Sequence, residues 1–374
     1  MLVLSLTSFA QKKKNQQESV AQNSKEVVVN LKDESWDFKP QTVEFIEYKS
    51  RRAMKILSNY EKVVLKDFDF TNGTIEFDID PLDPMFTGFY FRMKDSKESE
   101  CFYFRTGNAG NPQSIDAIQY APIIDGVNLW DMLFHYQANA NFKKDEWNHV
   151  KLVISGKQMR AYVNNILQPA LEVPMLEGNT TSGTLAFDGQ AAISNIVVKH
   201  NLVENLNPNV GIDPTSNDPR FVRKWMVSQP IQMEKNIDFY NSKKPNTETK
   251  WERIDAERRG LLNLTRKFGQ TESRRLVWLK TNIHADKTQD KILRLGFSDE
   301  VWMYINNTPL YIDKNLYGTP MAKFPDGRCT IENSSILIPL KEGDNELLVG
   351  VANYFYGWGI VARFDNNDGL VLEK

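Results

Sequence analysis

Residues 71 to 105, TNGTIEFDIDPLDPMFTGFYFRMKDSKESECFYFR, constrain the fold most strongly. Successive side chains of a β-strand point to opposite faces, so GFYFRM puts Phe89, Phe91 and Met93 on one face and Tyr90 and Arg92 on the other. CFYFRT repeats the arrangement, with Phe102 and Phe104 set against Cys101, Tyr103 and Arg105. The short charged run DSKESE between them reads as the loop of an antiparallel hairpin. One face of this hairpin is core. The other carries two Tyr and two Arg, which can stack on a sugar ring and donate hydrogen bonds to its hydroxyls. The same alternation also fits amphipathic side chains packed under a second layer or left solvated.

A chain of 374 residues is long enough for two hydrophobic cores. Aromatic residues at 11%, with 20 Gly and 16 Pro and no long apolar helical repeat, suit an all-β protein with many turns. The net charge of −2 gives no electrostatic case for nucleic acid or an anionic membrane, and no run of eighteen apolar residues provides a membrane-spanning helix. Cys101 and Cys329 are the only cysteines and fall in different halves of the chain, so a disulfide framework is excluded; spacing does not decide whether the two meet, and two buried, unpaired thiols are the reading adopted. MLVLSLTSFA followed by QKKKNQQ reads as the end of a secretory signal peptide over 1–10, which implies a secreted or periplasmic protein. Residues 11–25 contain almost nothing to bury and read as a leader without structure.

From Glu26 onwards short strands follow one another. The later ones come in a set order: a strand opened by Trp147, a turn at Ser155-Gly156, a strand ending at Asn164-Asn165, then Gly183–Phe187 and Ile193–Val198. This succession over 26–200 resembles the closing half of a concanavalin A-like, laminin-G-like jelly roll, a fold that hosts lectins, glycosidases and adhesion modules alike. Residues 201–219 hold Pro208, Pro214 and Pro219 among Asn and Asp and read as a linker. Over 220–374 a second series of strands is expected from LLNLTRKF, RRLVWLKTNIHA, KILRLGFS, EVWMYINNTPLY, SSILIPL, NELLVGVANY and WGIVARF. The aromatic strand with its Asn turn, and the Gly-Asp-Asn step before NELLVGVAN, are similar to the galactose-binding-like β-sandwich that accompanies many glycosidases. The expected fold class is therefore all-β, two β-sandwiches in tandem.

Glu76, Asp78 and Asp80 in TIEFDID share one strand face at steps of about 6.6 Å, and paired carboxylates roughly 5 to 9.5 Å apart serve glycoside hydrolysis. The run is similar to the laminarinase Glu-x-Asp-x-x-Glu motif without its final Glu, Asp80 being followed by Pro81. GFYFR is similar to the glycine-led strand of the 3-keto-disaccharide hydrolases, with Phe86-Thr87 in place of that family's Asn-Ser. The first resemblance implies a glycoside hydrolase in which Glu76 and Asp78 carry catalysis; the second implies a relative of the keto-sugar hydrolases, without implying activity. His135, His149, His200 and His284 are scattered, so neither a metal nor another cofactor is expected. Binding signals are richer. Asp116, Gln119, Tyr120 and Trp130 are placed to ring one rim of a face bearing Tyr90, Arg92, Tyr103 and Arg105. YFYGWG sets Tyr354, Tyr356 and Trp358 between glycines, either as a stacking platform or as a cap on a sandwich core. These features point to recognition of an oligo- or polysaccharide, with a glycoside hydrolase and a protein-binding adhesion module as the alternatives.

Overall fold

The computed structural model describes residues 25–82, 85–234, 243–270 and 273–373. The expected signal segment 1–10, and the leader 11–25 apart from Lys25, lie outside the described residues. The chain divides into two compact units, one of residues up to Ile123 with His135–Gly211, the other of Ile124–Phe134 with Ile212 onwards. The assignment of 124–134 to the second unit has no counterpart in the domain limits read from the sequence.

The first unit is built from two antiparallel sheets. One runs in the order Leu171–Val173, Gln158–Val163, Asn148–Ser155, Gly73–Pro81, Ala191–His200, Arg51–Ile56, Val43–Tyr48, with Glu26–Val28 also paired to Ala191–His200. The other runs Gln137–Ala138, Ile118–Tyr120, Glu100–Arg105, Phe86–Met93, Thr184–Asp188, Val63–Leu65, Trp36–Asp37. The inward residues are those the alternation selects. Phe77 from the first sheet lies 4.8 Å from Phe89 and 5.2 Å from Phe187 of the second, ring centre to ring centre. Phe89, Phe91, Phe102 and Phe104 are buried with them, each contributing about 2–3 kcal/mol through the area removed from water.

The second unit also consists of two antiparallel sheets. Trp251–Asp255, Lys224–Ser228, Arg275–Ala285, Gly343–Ala352, Glu300–Ile305 and Thr308–Lys314 form one, with Ile231–Gln232 and Leu370–Leu372 also paired to Arg275–Ala285, while Leu261–Asn263, Gly359–Phe364, Gln289–Ser298 and Ser334–Leu340 form the other. Their facing side chains, among them Val277, Leu295, Phe297, Val349 and Trp358, make one core. LLNLTRKF, expected as a strand, is a strand only over Leu261–Asn263 and then a short helix, Leu264–Phe268. Asn263 accounts for the change: its side-chain oxygen accepts the Arg266 N–H at 3.0 Å as an N-cap, and Gly269 at φ +63° ends the turn. Cys101 and Cys329 are free and buried, as the sequence predicts.

The same clasp occurs in each unit. Asn148 donates from Nδ2 to the carbonyls of Lys143 and Glu146 and accepts the Lys143 N–H, while Asn164 Nδ2 donates to its Oδ1 at 2.9 Å. In the second unit Asn345 donates to the carbonyls of Lys341 and Gly343 and accepts the Lys341 N–H, while Asn306 Nδ2 donates to its Oδ1 at 2.8 Å. Asn164 and Asn306 have φ of +59° and +49°, a conformation that Asn tolerates better than most residues. Each clasp ties a tight turn to the loop entering a central strand, and so locks the register of that strand against its neighbour.

Candidate functional site

The hairpin of the first unit forms as expected, but Arg92 departs from the predicted plane. Opposite it, Met93 pairs with Thr184 and Tyr90 with Ala186, so Phe86–Met93 carries one extra residue there. Arg92 takes up that residue at φ +49°, a β-bulge that re-aims the side chain. Gly183 is needed alongside, since at φ +150° a Cβ would lie 2.5 Å from the Met93 carbonyl oxygen. Arg92 is 1% exposed and donates to the Thr71 carbonyl from Nε and Nη2, at 2.8 and 2.6 Å, and to Asn72 Oδ1. It holds the backbone of a neighbouring loop.

The remaining residues of that face are bonded among themselves. Tyr90 donates to Asp188 Oδ2 at 2.6 Å, and burial, reinforced by the Asp188 charge, raises its phenol well above the usual range. Tyr103 OH and Arg105 Nη2 both donate to Gln119 Oε1, at 2.7 and 2.6 Å, and Arg105 Nη1 donates to the Asp116 carbonyl. Tyr90 and Tyr103 are each 7% exposed and Gln119 is fully buried. Tyr120, expected on the rim, is fully buried on the inward side instead, donating to Glu100 Oε2 at 2.6 Å and accepting the Glu177 N–H. Its register partner is Phe102, a core residue, so the alternation itself carries it inward. The Tyr/Arg face is thus an internal polar network and offers no open plane to a ligand.

Glu76 and Asp78 do share an outer face, and around them lies a cluster that the sequence reading missed. His149, opposite Asp78 in register, brings Nδ1 to 2.9 Å from Asp78 Oδ1 and Nε2 to 3.4 Å from Glu76 Oε2. Arg51 Nη1 and Asn195 Nδ2 both reach Asp78 Oδ2 at 2.6 Å, and Lys199 Nζ reaches Glu76 Oε1 at 2.7 Å. Asp80 is fully buried and bonded to Tyr48 and Lys49. Burial works against the ionised form of Asp78, but its bonds to His149 and Asn195 and the Arg51 charge together hold its pKa below the ordinary value. A glycosidase needs one carboxyl protonated as the acid and one ionised as nucleophile or base; Asp78 is held in the ionised state. The hydrogen bond that His149 donates to Asp78 raises the His149 pKa, so its contribution to stability is complete below about pH 6.5 and fades as pH rises through the elevated value. His149→Gln should therefore lower the urea midpoint more at pH 5.5 than at pH 8.5, by no more than about 1 kcal/mol because the ring is partly exposed. Equal losses at both pH values would remove His149 from the ion network.

The second unit does present aromatic surface. Tyr354, Phe355, Tyr356 and Tyr317 are 66%, 38%, 41% and 42% exposed. Tyr317 and Phe355 are parallel within 5° at 5.9 Å, Phe355 meets Tyr356 at 4.3 Å and 80°, and Trp130 meets Tyr317 at 4.8 Å and Tyr356 at 5.9 Å. Trp358, expected beside them, is 1% exposed in the core, with Nε1 donating to the Val351 carbonyl. Two buried carboxylates hold the loop that carries the rings. Asp299 Oδ2 accepts the N–H groups of Tyr354 and Phe355, the latter at 2.7 Å, and Asp131 accepts the Gly357 N–H at 3.2 Å. A Cβ at Gly357 would stand 2.7 Å from Asp131 Oδ1, so this approach requires glycine. Burial pushes the Asp131 carboxyl up to about 7, and burial together with the Asp131 charge raises Asp299 well above the carboxylate range.

Tyr317 belongs to the long irregular segment 315–333, between the strands Thr308–Lys314 and Ser334–Leu340. Its length was the available signal, since loops of that size are usually functional or unstructured. No sequence signal marked Asp131 or Asp299.

No family model and no curated protein matches the chain. Among solved structures it is similar to a carbohydrate-binding module of family CBM66 from Bacillus subtilis, at 14% identity over 48% of this chain and 94% of that one, with a TM-score of 0.29. It is similar also to a β-glucanase of Bacillus licheniformis, at 11% identity over 47% and 97% of the two chains and a TM-score of 0.33. A third is the exoplasmic/lumenal domain of VIP36 in its Ca2+/Man3GlcNAc-bound form, at 9% identity over 50% and 93% and a TM-score of 0.34.

Proposed function

We propose that this protein is a secreted or periplasmic carbohydrate-recognition protein that binds oligo- or polysaccharide without cleaving it, and that the binding surface is the aromatic ridge of the second unit. One observation supports this above the others: exposed rings at Tyr354, Phe355 and Tyr356 sit on a loop whose backbone is fastened by Asp131 and Asp299, and Tyr317, from the separate segment 315–333, stacks beside Phe355. Sugar rings present apolar C–H faces edged by hydroxyls, and rigid aromatic side chains with phenolic edges match both features at low entropic cost. The galactose-binding-like character of the second unit is part of the same reading. Electrophoresis through gels containing different polysaccharides tests it. At least one glycan should retard the protein, and Tyr317→Ala with Tyr356→Ala should abolish the retardation. A protein that migrates freely through every glycan and captures a protein ligand instead would establish the adhesion alternative.

A further inference from the structure

The rings of the ridge are turned against one another, and that geometry bears on the kind of glycan they accept. Tyr317 and Phe355 share one orientation, within 5°. Trp130 stands at 72° to Tyr317, and Tyr356 stands at 80° to Phe355 and 82° to Trp130. The four rings thus lie in three planes that are close to mutually perpendicular, the walls of a corner. A flat crystalline polysaccharide surface touches several rings at once only when they are coplanar. A corner instead meets one sugar unit, or one chain, on more than one side.

Several ionisable side chains beside the ridge are engaged with other groups of the protein. Arg328 lies 5.3 Å over the face of Trp130 and donates from Nη1 to the Asp326 carbonyl. Lys323 is paired with Asp313, and Asp131 and Asp299, 2% and 3% exposed, are occupied by backbone N–H groups. What is exposed there is the surface of Tyr317, Tyr354, Phe355 and Tyr356, uncharged rings that suit neutral sugars better than carboxylates or sulfates.

We infer that the ridge receives a single, uncharged glycan chain in solution. This rests on the carbohydrate-binding reading of the same surface. The experiment compares three sets of probes with the full-length protein: soluble neutral chains (laminarin, hydroxyethyl cellulose, galactomannan), insoluble microcrystalline cellulose and chitin, and the acidic chains polygalacturonate and heparin. At least one soluble neutral chain should bind with an affinity that is unchanged between 50 and 500 mM salt and weakened roughly tenfold or more by Tyr317→Ala. Tyr356→Phe, which keeps the ring, should weaken binding less than Tyr356→Ala. Near-UV circular dichroism of each variant separates a lost ligand from a lost fold. Retention on the crystalline solids alone, or binding confined to acidic chains and removed by salt, would overturn this inference while leaving carbohydrate recognition standing. Binding in none of the three sets would overturn both.

Discussion

Asn345→Ala should destabilise the second unit by about 3–5 kcal/mol, seen as a large fall in the urea midpoint. The Asn345 side chain is fully buried and takes part in four hydrogen bonds of the clasp: donations to the carbonyls of Lys341 and Gly343 at 2.8 and 3.0 Å, and acceptances from the Lys341 N–H and Asn306 Nδ2 at 3.0 and 2.8 Å. Alanine would leave the half-buried Gly343 carbonyl and Asn306 amide, and the backbone groups of the more exposed Lys341, without their partner, and each orphaned buried group costs about 1–3 kcal/mol. Asn306→Ala should cost less, because it removes one bond to Asn345 and one from the exposed Glu346 N–H, and leaves the loop 341–345 closed on itself. The two losses should fall short of additive when combined, since they share that bond. A change below about 1 kcal/mol in Asn345→Ala would show that the clasp does not hold the strand.

The second large effect is a dependence of stability on pH seated at Asp131. Its carboxyl is pushed up to about 7 by burial from an unfolded value near 3.9. The folded protein therefore holds this proton more tightly than the unfolded chain does. Stability from this group is complete below the unfolded value and declines as pH rises towards 7, by on the order of 4 kcal/mol in all. Asp299, raised by burial and by the Asp131 charge, acts in the same direction. Asp131→Asn should flatten the decline, narrowing the difference between urea midpoints at pH 5 and pH 8. An unaltered pH profile in the variant would mean that Asp131 does not titrate in that range. The state of the ring-bearing loop is open to the same measurement, because Asp131 and Asp299 accept its N–H groups.

The two units differ in how far local pattern reached. In the first, the alternation of GFYFRM and CFYFRT identified the buried Phe residues, because period-two patterning depends only on neighbours along the strand. It misplaced Arg92, because the bulge that turns it is decided by the partner strand Thr184–Asp188, far away in the chain. Tyr120 was misjudged for a related reason: three residues, Ile118–Tyr120, are too few to show which parity faces the core until they pair with Glu100–Arg105. In the second unit the Asn-Asn turn of EVWMYINNTPLY and the Gly-Asp-Asn step were legible singly. That they close on each other through Asn306 and Asn345 was not.

From the residues alone one could read an all-β chain, the faces its long strands bury, its Asn turns and an aromatic run near the C-terminal end, because each follows from spacing or from the conformational tolerance of a residue type. The assembled fold decided which polar groups remain available. It spent the tyrosines and arginines of the first hairpin on internal bonds, set His149 between Glu76 and Asp78, and gathered Trp130, Tyr317 and the 354–356 rings over two buried carboxylates. Burial and long-range pairing set those outcomes, and neither quantity exists until distant segments meet.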